Sequence, residues 1–116
     1  HVFPAGTTVS PQTSIVVFGG GNPASSIPGV VQTASGGDLG LNNGGDEVTV
    51  ARTSGSTYLS LSYGGAAGDD QSLTRDQNFT GDFVKHSTVS GSGGALFSPG
   101  ETAGGTALPV ELATFE

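Results

Sequence analysis

Four aspartates in two glycine-rich stretches are the residues of this sequence best suited to bind a metal ion. Asp38 and Asp46 lie in "GDLGLNNGGDEV", and Asp69 and Asp70 lie in "AAGDDQ". Ca²⁺ needs several carboxylate and carbonyl oxygens around one point, and the alternating acids of an EF-hand loop are absent from this sequence. Calcium binding therefore requires that these four side chains meet in space, and we expect no other cofactor.

The first of these stretches also has the composition of a tight turn. Residues 42–45, "NNGG", tolerate a positive φ at low steric cost. Asp46 follows them and can accept hydrogen bonds from backbone N–H groups that a turn leaves unpaired. We therefore predict a turn that leads into a strand, with calcium binding as the alternative. We interpret the adjacent Asp69 and Asp70 as part of a solvated loop.

The histidines and serines do not form a pattern typical of a zinc site or a catalytic site. The chain has two histidines, His1 and His86, and no cysteine, and the two histidines lack the close spacing of a zinc-binding pair. Residues 90–94, "SGSGG", share only their composition with the Gly-x-Ser-x-Gly elbow that presents a nucleophilic serine. We therefore expect that the protein is not an enzyme.

The charge balance argues against nucleic acid and membrane partners. Ten acidic residues against three basic ones, Arg52, Arg75 and Lys85, give a net charge of -7. Phosphate backbones and anionic lipids are bound mainly by clustered lysine and arginine, which this sequence lacks. It also contains no run of about 18 apolar residues. We expect neither nucleic acid binding nor membrane insertion.

Short apolar or alternating stretches separated by glycine turns predict an all-β protein. Residues 14–18, "SIVVF", form an apolar run closed by three glycines, which is typical of a buried strand. Residues 47–53 and 58–63 alternate apolar and polar side chains, and the "SGS" between them predicts an antiparallel hairpin. Short strands with frequent turns favour an antiparallel β-sandwich. Further strand candidates are residues 29–33, 71–75, 82–86 and 107–115.

The order of four motifs resembles the bacterial lamin tail domain. These motifs are "FPAGTTVSPQTSIVVFGGG", "GLNNGGDEVTVARTSGSTYLSLSYGG", "QSLTRD" and "FSPGETAGG", which span residues 3–105. The resemblance implies an immunoglobulin-like antiparallel β-sandwich for residues 1–105. The family has a Ser-Leu-x-Arg stretch that matches residues 72–75. We expect Arg75 to anchor a loop carboxylate or backbone carbonyls through its planar guanidinium.

The sequence departs from that family at its beginning. Lamin tail domains normally have two or three strands before "FPAGT", including a tryptophan, whereas this sequence contains no tryptophan and starts after that point. We interpret the opening "HVFPAG", which lacks a methionine, as the start of a processed or truncated product. An incomplete sandwich would leave strand edges unpaired, and an unpaired edge is a template for another strand.

Residues 106–116, "TALPVELATFE", are the candidate donor of such a strand. Leu108, Val110 and Leu112 recur at period two, and Phe115 lies beyond them. We interpret the Gly-Gly pair at residues 104–105 as a hinge that lets these four assembly residues reach a neighbouring copy. Alternatively, the segment resembles the connector before C-terminal sorting modules in surface proteins exported by the type IX route.

These features predict a non-catalytic, extracellular or cell-surface module with a structural or interaction role. Its partners would be further copies of itself, in a filament or another homo-oligomer, or neighbouring domains of a longer bacterial surface protein. The alternative is an accessory module of a larger secreted protein. Such a module would bind Ca²⁺ through the four aspartates, or carbohydrate through an aromatic platform of Tyr58 and Tyr63.

Overall fold

The computed structural model describes residues 1–76 and 80–108. Within these ranges the secondary structure consists of short strands and two 3₁₀ turns, Gly65–Gly68 and His86–Thr88. No helix of this part is long and apolar enough to cross a membrane. The strands are β1 (Ile15–Phe18), β2 (Val30–Thr33), β3 (Asp46–Ala51), β4 (Thr57–Tyr63), β5 (Leu73–Arg75) and β6 (Phe83–Lys85).

The prediction of an all-β chain is confirmed for the described residues. Each of the six strands coincides with a predicted one to within a few residues. The last candidate, residues 107–115, is described only at its start, where Ala107 forms an isolated antiparallel bridge with Glu101. The rest of that candidate, including Val110, Leu112 and Phe115, lies outside the described residues.

The β3–β4 hairpin forms because its sequence alternates and its turn is local. Val48 lies opposite Leu61, and the register shifts by a bulge between Val50 and Ala51. The turn closes through hydrogen bonds from Arg52 N to Ser56 O (2.8 Å) and from Gly55 N to Arg52 O (2.9 Å). Gly55 has a φ of 98°, a conformation that favours glycine. The predicted hairpin is therefore confirmed.

The first strand pair departs from the antiparallel sandwich that the sequence predicted. β1 and β2 run parallel, with register from Ile15 opposite Val30 to Phe18 opposite Thr33. Parallel strands need a crossover connection rather than a tight turn, and residues 19–29 supply one. The pair continues past β2 through a hydrogen bond from Ala34 N to Phe18 O of 2.7 Å.

The predicted role of Arg75 at the end of β5 is confirmed. Its Nη1 donates hydrogen bonds to the carbonyl oxygens of Gly81 (2.7 Å) and Thr80 (3.3 Å). Its guanidinium also lies over the Phe83 ring, 4.5 Å from the ring centroid. One side chain thus joins β5 to the loop that precedes β6 and fixes Phe83 on the antiparallel β5–β6 pair.

The buried interior of the described part consists of small side chains. Ala34, Val89 and Ala103 are its buried apolar residues, accompanied by His86 and Ser92. Large apolar side chains instead remain exposed. They are Val2, Val9, Val30, Leu39, Leu41, Tyr58, Leu59, Leu96 and Phe97.

The strands do not join into larger sheets within the described residues. They form three separate two-stranded sheets, β1–β2, β3–β4 and β5–β6. Each strand therefore has one edge without a neighbouring strand in this part of the chain. Two-stranded sheets are marginally stable in water and normally need further strands or a covering layer.

Candidate functional site

The β3–β4 hairpin has one polar face and one apolar face. Glu47, Thr49 and Ser60 lie on the polar face, and Thr49 Oγ1 lies within hydrogen-bonding distance of Ser60 Oγ (3.4 Å). Its apolar face is only half buried, and Leu59 on that face is 44% exposed. An apolar face of this kind is the part of a sheet that normally packs against a second layer. The side chains of this face are Val48, Val50, Leu59, Leu61 and Tyr63.

The inner end of this apolar face opens into a cleft. Side chains from β4, β5, β6 and the loop that precedes β3 surround a cavity of about 310 Å³. We call this the apolar cleft, and its large apolar side chains are Leu41, Leu61, Tyr63, Leu73 and Phe83. Leu41 at its mouth is 50% exposed. The cleft is therefore an apolar surface in contact with solvent.

The predicted turn before β3 forms the rim of the apolar cleft. Asp46 accepts hydrogen bonds from Asn42 N (3.2 Å), Asn42 Nδ2 (3.0 Å) and Glu47 N (2.8 Å). The Tyr63 hydroxyl donates to Asn42 O at 2.9 Å and so ties the turn to β4. Gly45 has a φ of 130°, and a Cβ there would lie 2.8 Å from Tyr63 O. The prediction that Asp46 accepts backbone N–H groups is confirmed.

The backbone of this turn stabilises the ionised form of the Asp46 carboxyl group. The backbone N–H groups of Glu47 and Asn42 donate to the ionised form and hold the pKa of Asp46 below its ordinary value of 3.8. Asp46 is partly exposed, so solvent weakens the effect. Asp46 therefore acts as a hydrogen-bond acceptor within the turn.

Three of the four candidate calcium ligands, Asp38, Asp46 and Asp69, have separate local partners. Asp38 accepts from Gly40 N at 2.8 Å, and Asp69 forms an ion pair with Lys85. Asp70 is exposed at a φ of 54°. Among the described residues, no three His, Asp or Glu side chains are grouped so that they could hold a metal ion. Calcium binding stays a prediction without an assembled site to support it.

The two tyrosines of the suggested aromatic platform lie at opposite ends of β4. Tyr58 is 65% exposed, and the Arg52 guanidinium covers one side of its ring at 4.8 Å from the centroid. Arg52 Nε also donates to the Tyr58 hydroxyl at 2.6 Å. Tyr63 belongs to the apolar cleft. The structure therefore does not bring the two rings together, and carbohydrate binding stays a prediction.

A contact between His86 and Ser98 was not predicted from the sequence. His86 is 1% exposed, and its Nδ1 and Nε2 lie 2.8 Å from Ala95 O and 2.7 Å from Ser98 Oγ. Because a carbonyl only accepts, Nδ1–H donates to Ala95, and Nε2 accepts the Ser98 hydroxyl proton in the neutral ring. No local motif signals this pair, since the two residues lie in different loops.

This histidine–serine pair has the spacing of a base and a nucleophile but not their setting. A catalytic base is normally oriented by a third group and faces a site that a substrate can enter. Here the ring is closed to solvent, and its other nitrogen is bound by a backbone carbonyl. We interpret the pair as a structural clamp that holds residues 95–98 against the end of β6. That the protein is not an enzyme stays a prediction.

The start of the C-terminal segment forms a tight turn. Gly105 N donates to Thr102 O (2.9 Å) and Thr102 N donates to Thr106 O (2.8 Å), so residues 102–106 form a tight turn. Leu108 N then donates to Gly100 O at 3.1 Å. The Gly-Gly pair therefore lies in a turn, and its role as a hinge stays a prediction. Leu108 is half buried, and the other three assembly residues lie outside the described residues.

Comparison with known proteins does not place the chain in a family. No family model matches it, and neither a curated protein nor a solved structure matches it.

Proposed function

We propose that this protein is a non-catalytic structural or interaction module that completes its β-sheets with a strand from another polypeptide. In this proposal the finished fold is an immunoglobulin-like sandwich of the lamin tail type, as the motif order suggests. The location is outside the cell or at its surface, because the C-terminal segment resembles the connector of exported surface proteins. The product is a homo-oligomer or filament.

The proposal rests on one observation, which is that the outer edges of all the described sheets are unpaired. Three two-stranded sheets leave one edge of every described strand without a neighbour. Exposed edges of this kind promote pairing with other chains unless charge, proline or a covering element blocks them. The outer half of β4, residues 57–60, has no charged residue and no proline. Its edge is therefore suited to accept a strand.

Simple energetics favour such an addition. Each backbone hydrogen bond formed along an edge contributes about 0.5–1.5 kcal/mol net. Burial of apolar side chains adds about 25 cal/mol per Å² removed from water. A strand that pairs with β4 and covers the half-exposed Leu59 and Leu61 would gain both terms, which together amount to several kcal/mol before association costs.

Sedimentation velocity of the intact chain over a wide concentration range tests the proposal. We expect species larger than the 11.4 kDa monomer to grow with protein concentration. The same samples in negative-stain microscopy should show whether these species are closed oligomers or filaments. A chain that remains a folded monomer at every concentration would contradict assembly with itself.

A further inference from the structure

We infer, resting on the proposed function, that the added strand is residues 109–116 of a second copy of this chain. The acceptor is the outer edge of β4, and the apolar side chains of the donor enter the apolar cleft. The described part of the chain ends at Leu108, immediately before this donor segment. This assignment names both the segment that is donated and the surface that receives it.

The outer edge of β4 is the longest strand edge available in the described structure. β4 contains 7 residues, against 3 to 6 in the other strands. Alternate residues of an antiparallel strand direct their N–H and C=O groups away from the partner strand. Since β3 is the only strand paired with β4 in the described part, these groups face outward without a ladder.

The volume of the apolar cleft matches two donor side chains. Its volume of about 310 Å³ is roughly twice the ~150 Å³ of a dry cavity that accommodates one benzene ring. Val110 and Leu112 are two residues apart, so in an extended strand they lie on one face about 6.6 Å from each other. We assign these two side chains to the cleft and its continuation along β4.

The position where the described chain ends gives the donor a fixed starting point. The Glu101–Ala107 bridge and the hydrogen bond from Leu108 N to Gly100 O hold residues 107–108 in place. Residues 109–116 can span at most about 26–29 Å when extended. The seven residues of β4 extend for about 23 Å, so the donor is long enough to run along the whole edge.

The charges of the donor and the acceptor are complementary in part, because the acceptor hairpin carries Asp46 and Glu47 as well as basic side chains nearby. The segment carries Glu111 and Glu116 and no basic residue. On the acceptor side, Arg52 lies at the end of β3, and Arg75 stacks on the cleft residue Phe83. Lys85 and Asp69 form the ion pair seen among the described residues, and neither arginine takes part in it. Among the described residues neither arginine has a carboxylate partner, although Arg52 donates to the Tyr58 hydroxyl and Arg75 donates to backbone carbonyls.

A second copy, rather than the same chain, accounts for assembly. Each copy carries one donor and one acceptor at different places, so the contact is head-to-tail. Head-to-tail contacts produce rings when the rotation closes and filaments when it does not. Folding of the segment back onto its own β4 would instead fill the acceptor and leave a monomer.

Truncation is the first test, and the structure fixes where to cut. A chain ending at Leu108 retains the bridge at Ala107 and the hydrogen bond to Gly100. We expect it to keep the circular dichroism spectrum of the intact chain and to lose self-association by at least 100-fold in dissociation constant. Equal assembly of both chains would overturn the donor assignment while leaving the proposed function intact.

Matched point variants test the two surfaces without shortening the chain. On the donor, Leu112→Asp should weaken association at least tenfold, whereas Ala113→Asp, on the opposite face of an extended strand, should change it less than threefold. On the acceptor, Leu59→Asp should weaken association, whereas Ser60→Asp on the polar face should not. These variants decide the question even if the truncated chain fails to fold. Equal effects within each pair would overturn the inference.

Mixing a chain that lacks the donor with a chain that has a defective acceptor tests the two surfaces independently. The truncated chain keeps the acceptor, and the Leu59→Asp chain keeps the donor, so together they should form a one-to-one heterodimer that does not grow further. A mixture that stays monomeric would overturn the inference when the intact chain assembles. If the intact chain itself stays monomeric, both this inference and the proposed function fail.

Discussion

At the scale of single residues, Gly45 and Asp46 determine the turn that closes the rim of the apolar cleft. The glycine provides a φ of 130° and space for Tyr63 O, and the aspartate accepts the backbone N–H groups of Asn42 and Glu47. These two contributions differ in kind, because one concerns backbone conformation and the other concerns hydrogen bonding. They can therefore be tested separately.

Replacing Gly45 with alanine should destabilise the fold. The new Cβ would lie 2.8 Å from Tyr63 O, and alanine is strained at this φ. We expect a loss of about 1–3 kcal/mol in the free energy of unfolding, measured with urea. The control is Gly44→Ala, where no atom lies within 4 Å of the added Cβ. A similar loss for both variants would contradict a specific role for Gly45.

The stability contributed by Asp46 should depend on pH in the acidic range. Because its pKa is lowered from 3.8 by folding, the contribution is present above about pH 4 and is lost as the pH falls through the folded-state value. The difference in Tm between the native protein and Asp46→Asn should therefore shrink as the pH falls from about 6 to below 3. Asp70→Asn controls for removal of one exposed negative charge. A difference that does not change with pH would contradict this assignment.

At the scale of structural elements, the His86 clamp holds together loops that contain little apolar core. Ser72 N donates to Leu96 O and His86 N donates to Ser72 O, both at 2.9 Å, so the clamp lies beside the start of β5. Polar contacts that are fully satisfied can fix one arrangement of such loops. The clamp therefore positions the β5–β6 side of the apolar cleft.

Removing the imidazole should cost more than removing its serine partner. His86→Ala leaves Ala95 O and the Ser98 hydroxyl without their partner in a buried position, so we expect a loss of about 2–4 kcal/mol in the free energy of unfolding. Ser98→Ala removes one hydrogen bond and should cost about 1 kcal/mol. Urea unfolding of both variants provides the comparison. A larger effect of Ser98→Ala would show that the histidine is not the centre of the clamp.

Sequence patterns predicted the elements whose causes are local. The β3–β4 hairpin follows from alternation and a glycine turn, and the acceptor role of Asp46 follows from its place after "NNGG". The parallel pairing of β1 with β2 depends on the path of residues 19–29, which their composition does not determine. Likewise, glycines at 104–105 suit both a hinge and a turn, and the turn depends on contacts such as the Glu101–Ala107 bridge, which composition does not determine.

The candidate site was only partly predictable for the same reason. Periodicity identified the apolar side chains of β4. The apolar cleft itself combines Leu41, Leu61 and Phe83 from separate elements, so it depends on packing that no local pattern encodes. Convergence of the four aspartates also depends on packing, and in the structure Asp38, Asp46 and Asp69 have separate partners.

At the scale of the whole molecule, calcium separates the assembly module from the alternative of a Ca²⁺-binding accessory module. A ligand that binds the folded state and not the unfolded state raises Tm, by an amount that grows with the logarithm of one plus the ratio of free ligand concentration to Kd. Since Asp38, Asp46 and Asp69 have separate local partners and no three acidic or histidine side chains of the described residues are grouped, we expect millimolar Ca²⁺ to leave Tm within about 1 °C of its value in chelator. A rise of several degrees, absent with Mg²⁺, would favour the accessory module.

The most direct test of the central claim is residue-resolved hydrogen exchange of the intact chain at low and high protein concentration. The outward-facing amides of β4 should exchange rapidly in dilute samples and slow at least tenfold in concentrated ones, because a donor strand then covers them. Amides of β4 that bond to β3 should change much less, which provides an internal control. Equal exchange of the outward-facing amides at both concentrations would contradict completion of the sheet by a second copy.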